Sequence, residues 1–265
     1  MNSRGRKQPK RGREATQREP PYNRVPPFSP SGDVAEAFFA AILAQAKKHQ
    51  LLSPEHFTVD GTLIEAWASQ SSFQPTDGPP DPDGGRNFHG QRRSNETHCS
   101  TTDPEARNAR KGRNKEAKLS YLGNLMVENR HGLIVNTRVK LATGRGEVEA
   151  AVEMLSEMEG NHQITVGADK GYDSRAFVES CRELRVTPHV SQKKLYSQID
   201  GRTTRHTGYA MSMQKRPRVE GPFGWLKEFG LMRRPKYRGL RKVGWVFTWS
   251  AAAYNLVRMT KLVPT

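Results

Sequence analysis

Two carboxylates stand out by their surroundings. Asp60 lies in "HFTVDGTLIEAW", where Phe57 and Val59 alternate with Thr58 and Asp60 before Gly61 and Thr62. Asp169 lies in "ITVGADKGYDS", where Ile164, Val166 and Ala168 fall on one face of a strand and the chain turns at Asp169-Lys170-Gly171. Taken alone, Asp169 reads as a turn residue that Lys170 could pair. Asp60 changes that balance, because it too is expected at or near the end of an alternating strand. Carboxylates at the ends of neighbouring strands can converge at one sheet edge, and two held close together repel unless a cation lies between them. Magnesium prefers carboxylate oxygen and keeps waters that a phosphate can replace. Such a pair suits metal-assisted phosphodiester chemistry, in which two ions roughly 4 Å apart serve the attacking and leaving oxygens.

A third acid should come from the basic C-terminal region. Residues 205–242 hold eleven Lys or Arg against only Glu220 and Glu228. On an ideal helix Arg216, Glu220 and Lys227 share a face, at separations of four and seven. A solvated surface ion pair explains the same residues if the segment stands alone. Pro222 bears on the helix itself: in an interior it would cost about 3 kcal/mol, whereas a helix starting near Gly221 takes it into the first turn. Glu220 is then expected at the helix entrance, with Arg216 on a separate segment. Asp173, just before Ser174, is expected to cap the following helix and to do no chemistry.

These acids need a sheet to hold them, and the elements can be read in order. A helix with Asp33 as N-cap carries Phe38, Phe39, Ile42, Leu43 and Ala46 on one face. A strand runs from His56 to Asp60 and as far as Glu65. The polar stretch 69–118 is expected to be a flexible basic insert, in which Asp103 could cap one helical turn. Leu119, Tyr121, Leu125 and Val127, a turn over Glu128 to Gly132, and Leu133 to Leu141 form a hairpin. A helix from Gly146 to Glu159 precedes the strand 164–168. Next come a helix carrying Phe177, Val178, Cys181 and Leu184, the strand "RVTPHV", and a helical tail with an aromatic segment from Val243 to Arg258. This order predicts an α/β fold with a mixed sheet flanked by helices and a long polar insert after the first strand. Trp225, Trp245 and Trp249 are expected in the core, and His98 and His206 on polar surface loops.

Composition narrows the partners. Among 265 residues, 43 are basic and 27 acidic, a net charge of +16. The pI is about 10.1 and the mean hydropathy is -0.80. That excess suits a polyanion, since each neutralised phosphate releases counterions. No run of about 18 apolar residues exists to span a bilayer, and Cys99 and Cys181 are too few for a disulfide framework. The first thirty residues hold eight Lys or Arg and six Pro, so residues 1–31 are expected to be a disordered basic arm before a domain over 32–262. The expectation is a cytoplasmic protein that meets nucleic acid.

Six stretches together resemble the DDE transposases of bacterial insertion sequences, in particular the insertion-sequence-five-like group. They are "GDVAEAFFAAILAQA", "LLSPEHFTVDGTLIEAWAS", "RSNETHCSTTDPEARNARKG", "ITVGADKGYDS", "IDGRTTRHTGYA" and "VEGPFGWLK", spread from Asp33 to Leu262. The resemblance implies a ribonuclease-H-like sheet, with Asp60, Asp169 and Glu220 as catalytic acids holding magnesium, or manganese in its place. It implies cleavage at element ends and transfer of the freed 3′-hydroxyl into target DNA. Implied partners are double-stranded DNA, as terminal repeats and target, and a second copy of the chain in the DNA complex, near the nucleoid. The family signature Y-x2-R-x3-E-x6-K is kept at Arg216, Glu220 and Lys227, while the tyrosine position is Met213. Arg216 and Lys227 are thereby expected on phosphates, and Lys215, Arg218, Arg233 and Arg234 are expected to grip the DNA backbone. Relatives carry a helical region before the position of Asp33, so the chain is expected to be a shortened copy, and an inactive DNA-binding remnant is the alternative. A nuclease acting on RNA or hybrids is a further rival.

Overall fold

The structure, a computed structural model, describes residues 34–80, 93–112, 114–158 and 163–263. In chain order, α1 (Val34–Lys48) leads to β1 (His56–Glu65) and the short strands β2 (Phe73–Pro75), β3 (His98–Ser100) and β4 (Arg107–Ala109). The hairpin β5 (Lys118–Glu128) and β6 (Ile134–Leu141) follows, then α2 (Gly146–Ser156), β7 (Ile164–Ala168), α3 (Arg175–Glu183) and β8 (Val186–Val190). The last part is helical: α4 (Gly201–Thr204), α5 (Thr207–Lys215), α6 (Glu220–Glu228) and α7 (Leu240–Met259). The expected basic arm and the Asp33 cap lie outside the described residues.

β5 lies antiparallel between β1 and β6, and β4 pairs with its first three residues. On its other side β1 runs parallel to β7, and β7 parallel to β8. The order β6-β5-β1-β7-β8, an antiparallel hairpin followed by parallel strands, is the ribonuclease-H-like arrangement. The hairpin turn has a local cause. The buried Glu128 carboxylate accepts N–H bonds from Arg130 at 2.8 Å, His131 at 2.6 Å and Leu133 at 3.1 Å, which folds the chain back over Gly132.

Helices cover both faces. Phe57, Val59, Val166 and Met126 pack with Met154 of α2 and Phe177 of α3. Ile64, Tyr121 and Leu125 pack instead with Phe39 of α1, Phe223 of α6 and Phe247 of α7. β5 is buried from Leu119 to Glu128, as a central strand covered twice must be. Among the described residues no helix is long and apolar enough to cross a membrane.

The described parts of the stretch 69–118 carry structure. β2 and β3 form a two-stranded sheet, and Asp103 is buried rather than capping a helical turn. Its Oδ1 accepts the Tyr121 hydroxyl at 2.6 Å and the Gly239 N–H at 3.2 Å, while Gly239 N–H also reaches the Tyr121 oxygen at 3.1 Å. Gly239 holds φ +85°, a conformation that favours glycine, and starts α7. This knot ties the stretch to β5 and to the last helix. Tyr121→Phe leaves a buried carboxylate without its shortest donor and should cost about 1–3 kcal/mol. Urea unfolding checks this, and an unchanged midpoint would show that the knot is not needed for stability.

Three expectations change here. His98 is buried in β3 against Phe73, with ring centroids 5.4 Å apart, and is not a surface loop residue. Trp249 is 39% exposed and stacks on Trp245 at 5.4 Å and Phe38 at 4.7 Å. Neither it nor the half-buried Trp245 is a core residue, because helical periodicity spaces a side chain without choosing the face that is covered. Asp173 does not cap α3; Ser174 does, accepting from Phe177 N–H. The buried Asp173 carboxylate accepts the N–H groups of Lys193 and Gln198, each at 2.7 Å, and fastens the loop after β8.

Candidate active site

β1 continues to Glu65, so Asp60 is a mid-strand residue and not a strand end. The long partner β5 carries β1 on: Asp60 lies opposite Leu125, and pairing runs to Glu65 opposite Ser120. What ends near Asp60 is the other ladder. β1 and β7 pair last at Thr58 with Gly167, so Asp60 and Asp169 each stand two residues past the final pair. The pairing of the two parallel strands thus stops just short of the two acids.

Backbone donors fix both carboxylates. Gly61 N–H reaches Asp60 Oδ1 at 2.8 Å, and Gly171 N–H reaches Asp169 Oδ1 at 2.7 Å. Asp169 is thereby the cap of a one-turn 3₁₀ helix over Lys170–Tyr172. Alternation along β1 sends Asp60 to the same face as Thr62 and Ile64, the face covered by α6. Lys227 of α6 donates to Thr62 Oγ1 there.

The helical run past α5 is as the proline predicts. Arg216–Val219 is 3₁₀, and α6 begins at Glu220 with Pro222 in its first turn. Glu220 is exposed at that entrance, where the positive end of the helix favours an acid.

Electrostatics links these groups. Burial raises the Asp60 carboxyl to about 6; Gly61 N–H opposes the rise, Asp169 and Glu220 add to it by repulsion, and Arg216 lowers it. Lys227 is held below the usual lysine range, first by burial and then by repulsion from Lys111 and Arg233, while Asp60 acts the other way. Asp60, Asp169, Glu220, Arg216 and Lys227 thus share one region. Lys111, from the polar stretch before β5, is a further cation there.

The remaining expected DNA contacts divide. Arg218 Nη1 donates to the carbonyls of Asn129 at 3.2 Å and Arg130 at 3.3 Å, at the base of the hairpin turn. Arg234 donates to the carbonyls of Ala66 and Ala68 and lies over the Trp67 ring. Arg233 pairs with Glu228 at 3.0 Å. Lys215 ends α5 just before Arg216.

One acid was missed altogether. Glu147, in the first turn of α2, has its carboxyl raised first by burial and then by Asp60 and Asp169. The buried Tyr172 hydroxyl is pushed well up by burial, Glu147, Asp60 and Asp169. A glycine inside a strand, marking close approach by another group, was the available signal at Gly61. Among the described residues no group of three or more His, Cys, Asp or Glu is close enough to hold a metal ion by itself. The donors are nonetheless hard oxygens whose mutual repulsion a divalent cation would relieve, and that chemistry fits magnesium or manganese.

The family model described as "Transposase DDE domain" matches residues 52–256. No curated protein matches the chain. Among solved structures, the piggyBac transposase synaptic complex with hairpin DNA aligns at 11% identity and TM-score 0.42, over 84% of this chain and 54% of that one. A simian T-cell lymphotropic virus intasome aligns at 9% identity and TM-score 0.34, over 76% and 49%. The catalytic domain of the Mos1 mariner transposase aligns at 10% identity and TM-score 0.28, over 86% and 90%. The chain thus spans about half the length of the first two.

Proposed function

Since this chain belongs to the DDE transposase family, we propose that it cuts DNA at the ends of a mobile element and joins the freed 3′-hydroxyl to target DNA. The six sequence stretches favour the insertion-sequence-five-like group. The observation that carries the reading is that Asp60 and Asp169 each stand two residues past the last β1–β7 pair, with Asp169 and Glu220 near enough to help raise the Asp60 carboxyl.

In this reading Asp60 and Asp169 would hold the ion, with Glu220 completing the set from α6. Magnesium, or manganese, would supply charge stabilisation at the phosphodiester and a water acidified for attack. The chain's own residues do the rest. Gly61 N–H and Gly171 N–H each occupy one carboxylate oxygen of their acid, which fixes its orientation and leaves the second oxygen for the ion. Arg216 offsets part of the negative charge. Lys227 is lowered first by burial and then by the nearby Lys111 and Arg233, and a phosphate backbone laid across the three cations would relieve the second cause as it binds. The partners follow: duplex DNA as terminal repeats and target, handled by two copies of the chain and found with the nucleoid in the cytoplasm.

A second reading, a DNA-binding remnant without catalysis, draws on Glu220 being exposed at the helix entrance. Labelled duplex carrying an element end, incubated with the chain and magnesium, separates the two. Metal-dependent nicking at the end and joined products support the proposal. Binding with no metal-dependent product supports the remnant, and stronger cutting of RNA–DNA hybrid than of duplex DNA would point to a nuclease instead.

A further inference from the structure

β7 and β8 end side by side. Ala168 pairs with Val190, the last residue of each strand, and Ser191 N–H still donates to the Ala168 carbonyl at 3.0 Å. Asp169 follows the one strand and residues 191–199 follow the other, so this loop leaves the sheet at the same end as the acid. A second tie joins them. Asp169 caps the 3₁₀ turn over Lys170–Tyr172, and Asp173 directly after it accepts the N–H groups of Lys193 and Gln198, each at 2.7 Å. The loop is therefore clamped on both sides of its tip by a carboxylate one helical turn from Asp169.

The tip itself carries apolar side chains into water. Between Lys193 and Gln198, Leu195 and Tyr196 are open to solvent, and Tyr196 is 91% exposed. Tyr196 also holds φ +58°, a left-handed backbone that bulky residues rarely adopt. Such a conformation persists only where its surroundings impose it. Here they do: Gln198 Nε2 donates to the Tyr196 carbonyl at 3.2 Å, Ser197 Oγ to the Ile199 carbonyl at 3.3 Å and Lys193 Nζ to the Asp173 carbonyl at 2.6 Å. The fold thus carries backbone strain in order to hold an aromatic ring where it contributes no burial. Folding gives no reason for that arrangement, whereas a ligand with a flat apolar face does.

The surroundings indicate the chemistry of that ligand. Residues 191–199 contain two lysines and no acid, which suits a polyanion, and they leave the sheet at the end that bears Asp169. Paired bases inside a duplex cover each other's faces, so a ring can use a base only where the stack is broken, as beside a cut. Aromatic side chains hold such bases by stacking, with little regard to sequence. Resting on the DNA-cutting reading above, we propose that the Lys193–Gln198 loop is a clamp for single-stranded DNA at the cut end and that Tyr196 stacks on an unpaired base there.

Fluorescence anisotropy in EDTA tests this on the full chain without any cleavage. Two labelled duplexes of the same sequence carry a short single-stranded overhang, one with its bases and one abasic, so phosphates are equal and only base faces differ. Such pairs are made with 3′ and with 5′ overhangs, and a preference in either pair counts. The parent should bind the base-bearing overhang about tenfold more tightly, within the usual range for one stacked base. Tyr196→Ala should bind the two alike, whereas Tyr196→Phe, which keeps the ring, should keep the preference. Tyr196→Gly should also lose it while melting no lower than the parent, because glycine adopts the left-handed backbone freely; a ring that merely supports the fold would not behave so. No preference in the parent, as when the tip serves a protein partner, or a preference that survives Tyr196→Ala overturns the proposal. Cutting is read separately with magnesium. A Tyr196-dependent preference without cutting keeps the clamp and removes the DNA-cutting reading, and cutting without the preference does the reverse.

Discussion

Asp60→Asn should make the protein inactive and, without metal, more stable. The two effects share one cause. A carboxylate that takes part in holding a catalytic divalent ion supports several kcal/mol of charge stabilisation. A loss of about 4 kcal/mol lowers the rate of magnesium-dependent cleavage roughly a thousandfold. The same carboxylate is a burden to the empty fold. Burial, then repulsion from Asp169 and Glu220, raises its folded pKa to about 6, despite the Gly61 N–H and Arg216. Because this value lies above the unfolded one, the favourable contribution is complete below about pH 4 and is lost as pH rises through 6. Above that range an ionised Asp60 opposes folding. Asparagine keeps an acceptor for Gly61 N–H and removes the charge, so in EDTA at pH 8 the variant should be more stable by about 1–3 kcal/mol. Near pH 4 the gain should vanish. Adding manganese should raise the melting temperature of the parent and leave the variant unmoved. A variant that is both inactive and destabilised at pH 8 in EDTA would show that Asp60 serves the fold and not an ion.

Alternation in "HFTVDG" and "ITVGAD" gave both strands, and the flanking glycines marked the two acids for attention. The sheet edge that joins them has a different origin from the one expected. Asp60 does not end its strand, because β5 is eleven residues long and carries β1 on to Glu65. The opening comes from β7, which stays with β1 only to Gly167. Where a ladder stops is a property of two strands, and neither strand alone contains it. Pro222 was more informative: its missing N–H and fixed φ admit it only to a first turn, and α6 begins at Glu220 accordingly.

Glu147 shows the other limit. It is one of 27 acidic residues, and its spacing does not set it apart from Glu149 or Glu153 of the same helix. The crossing of α2 over Gly61 brings it near β1, and that crossing depends on the packing of the buried α2 residues Ala151 and Met154 with Phe57, Val59 and Val166. His98 was misread for a related reason. Polar and Gly/Pro-rich surroundings indicate a loop, but the ring is covered by Phe73 across a two-stranded sheet that no local pattern announces.

Affinity for DNA should fall about a thousandfold when salt rises from 50 to 200 mM, if about six phosphates are neutralised. The net charge of +16 makes a dependence of this size reasonable, but the cations are not equivalent. Arg218 and Arg234 are committed to backbone carbonyls, at the hairpin turn and at the segment after β1. Losing either should loosen the fold and move the salt slope little. Arg216 is placed differently: its charge is felt by Asp60, at the mouth of the proposed active site. Arg216→Ala should flatten the slope of log affinity against log salt by about one, as the loss of one phosphate contact does. It should also carry the Asp60 carboxyl still higher, so magnesium-dependent cleavage in the variant should need a more alkaline solution. Fluorescence anisotropy on a labelled duplex gives the slope, and a pH series of cleavage rates gives the second effect. A slope unchanged by Arg216→Ala, with its cleavage profile at the parent's pH, would remove Arg216 from both the phosphate path and the site. The pairing of the two shifts is what separates a cation placed at the acids from one that merely adds to the positive charge of the surface.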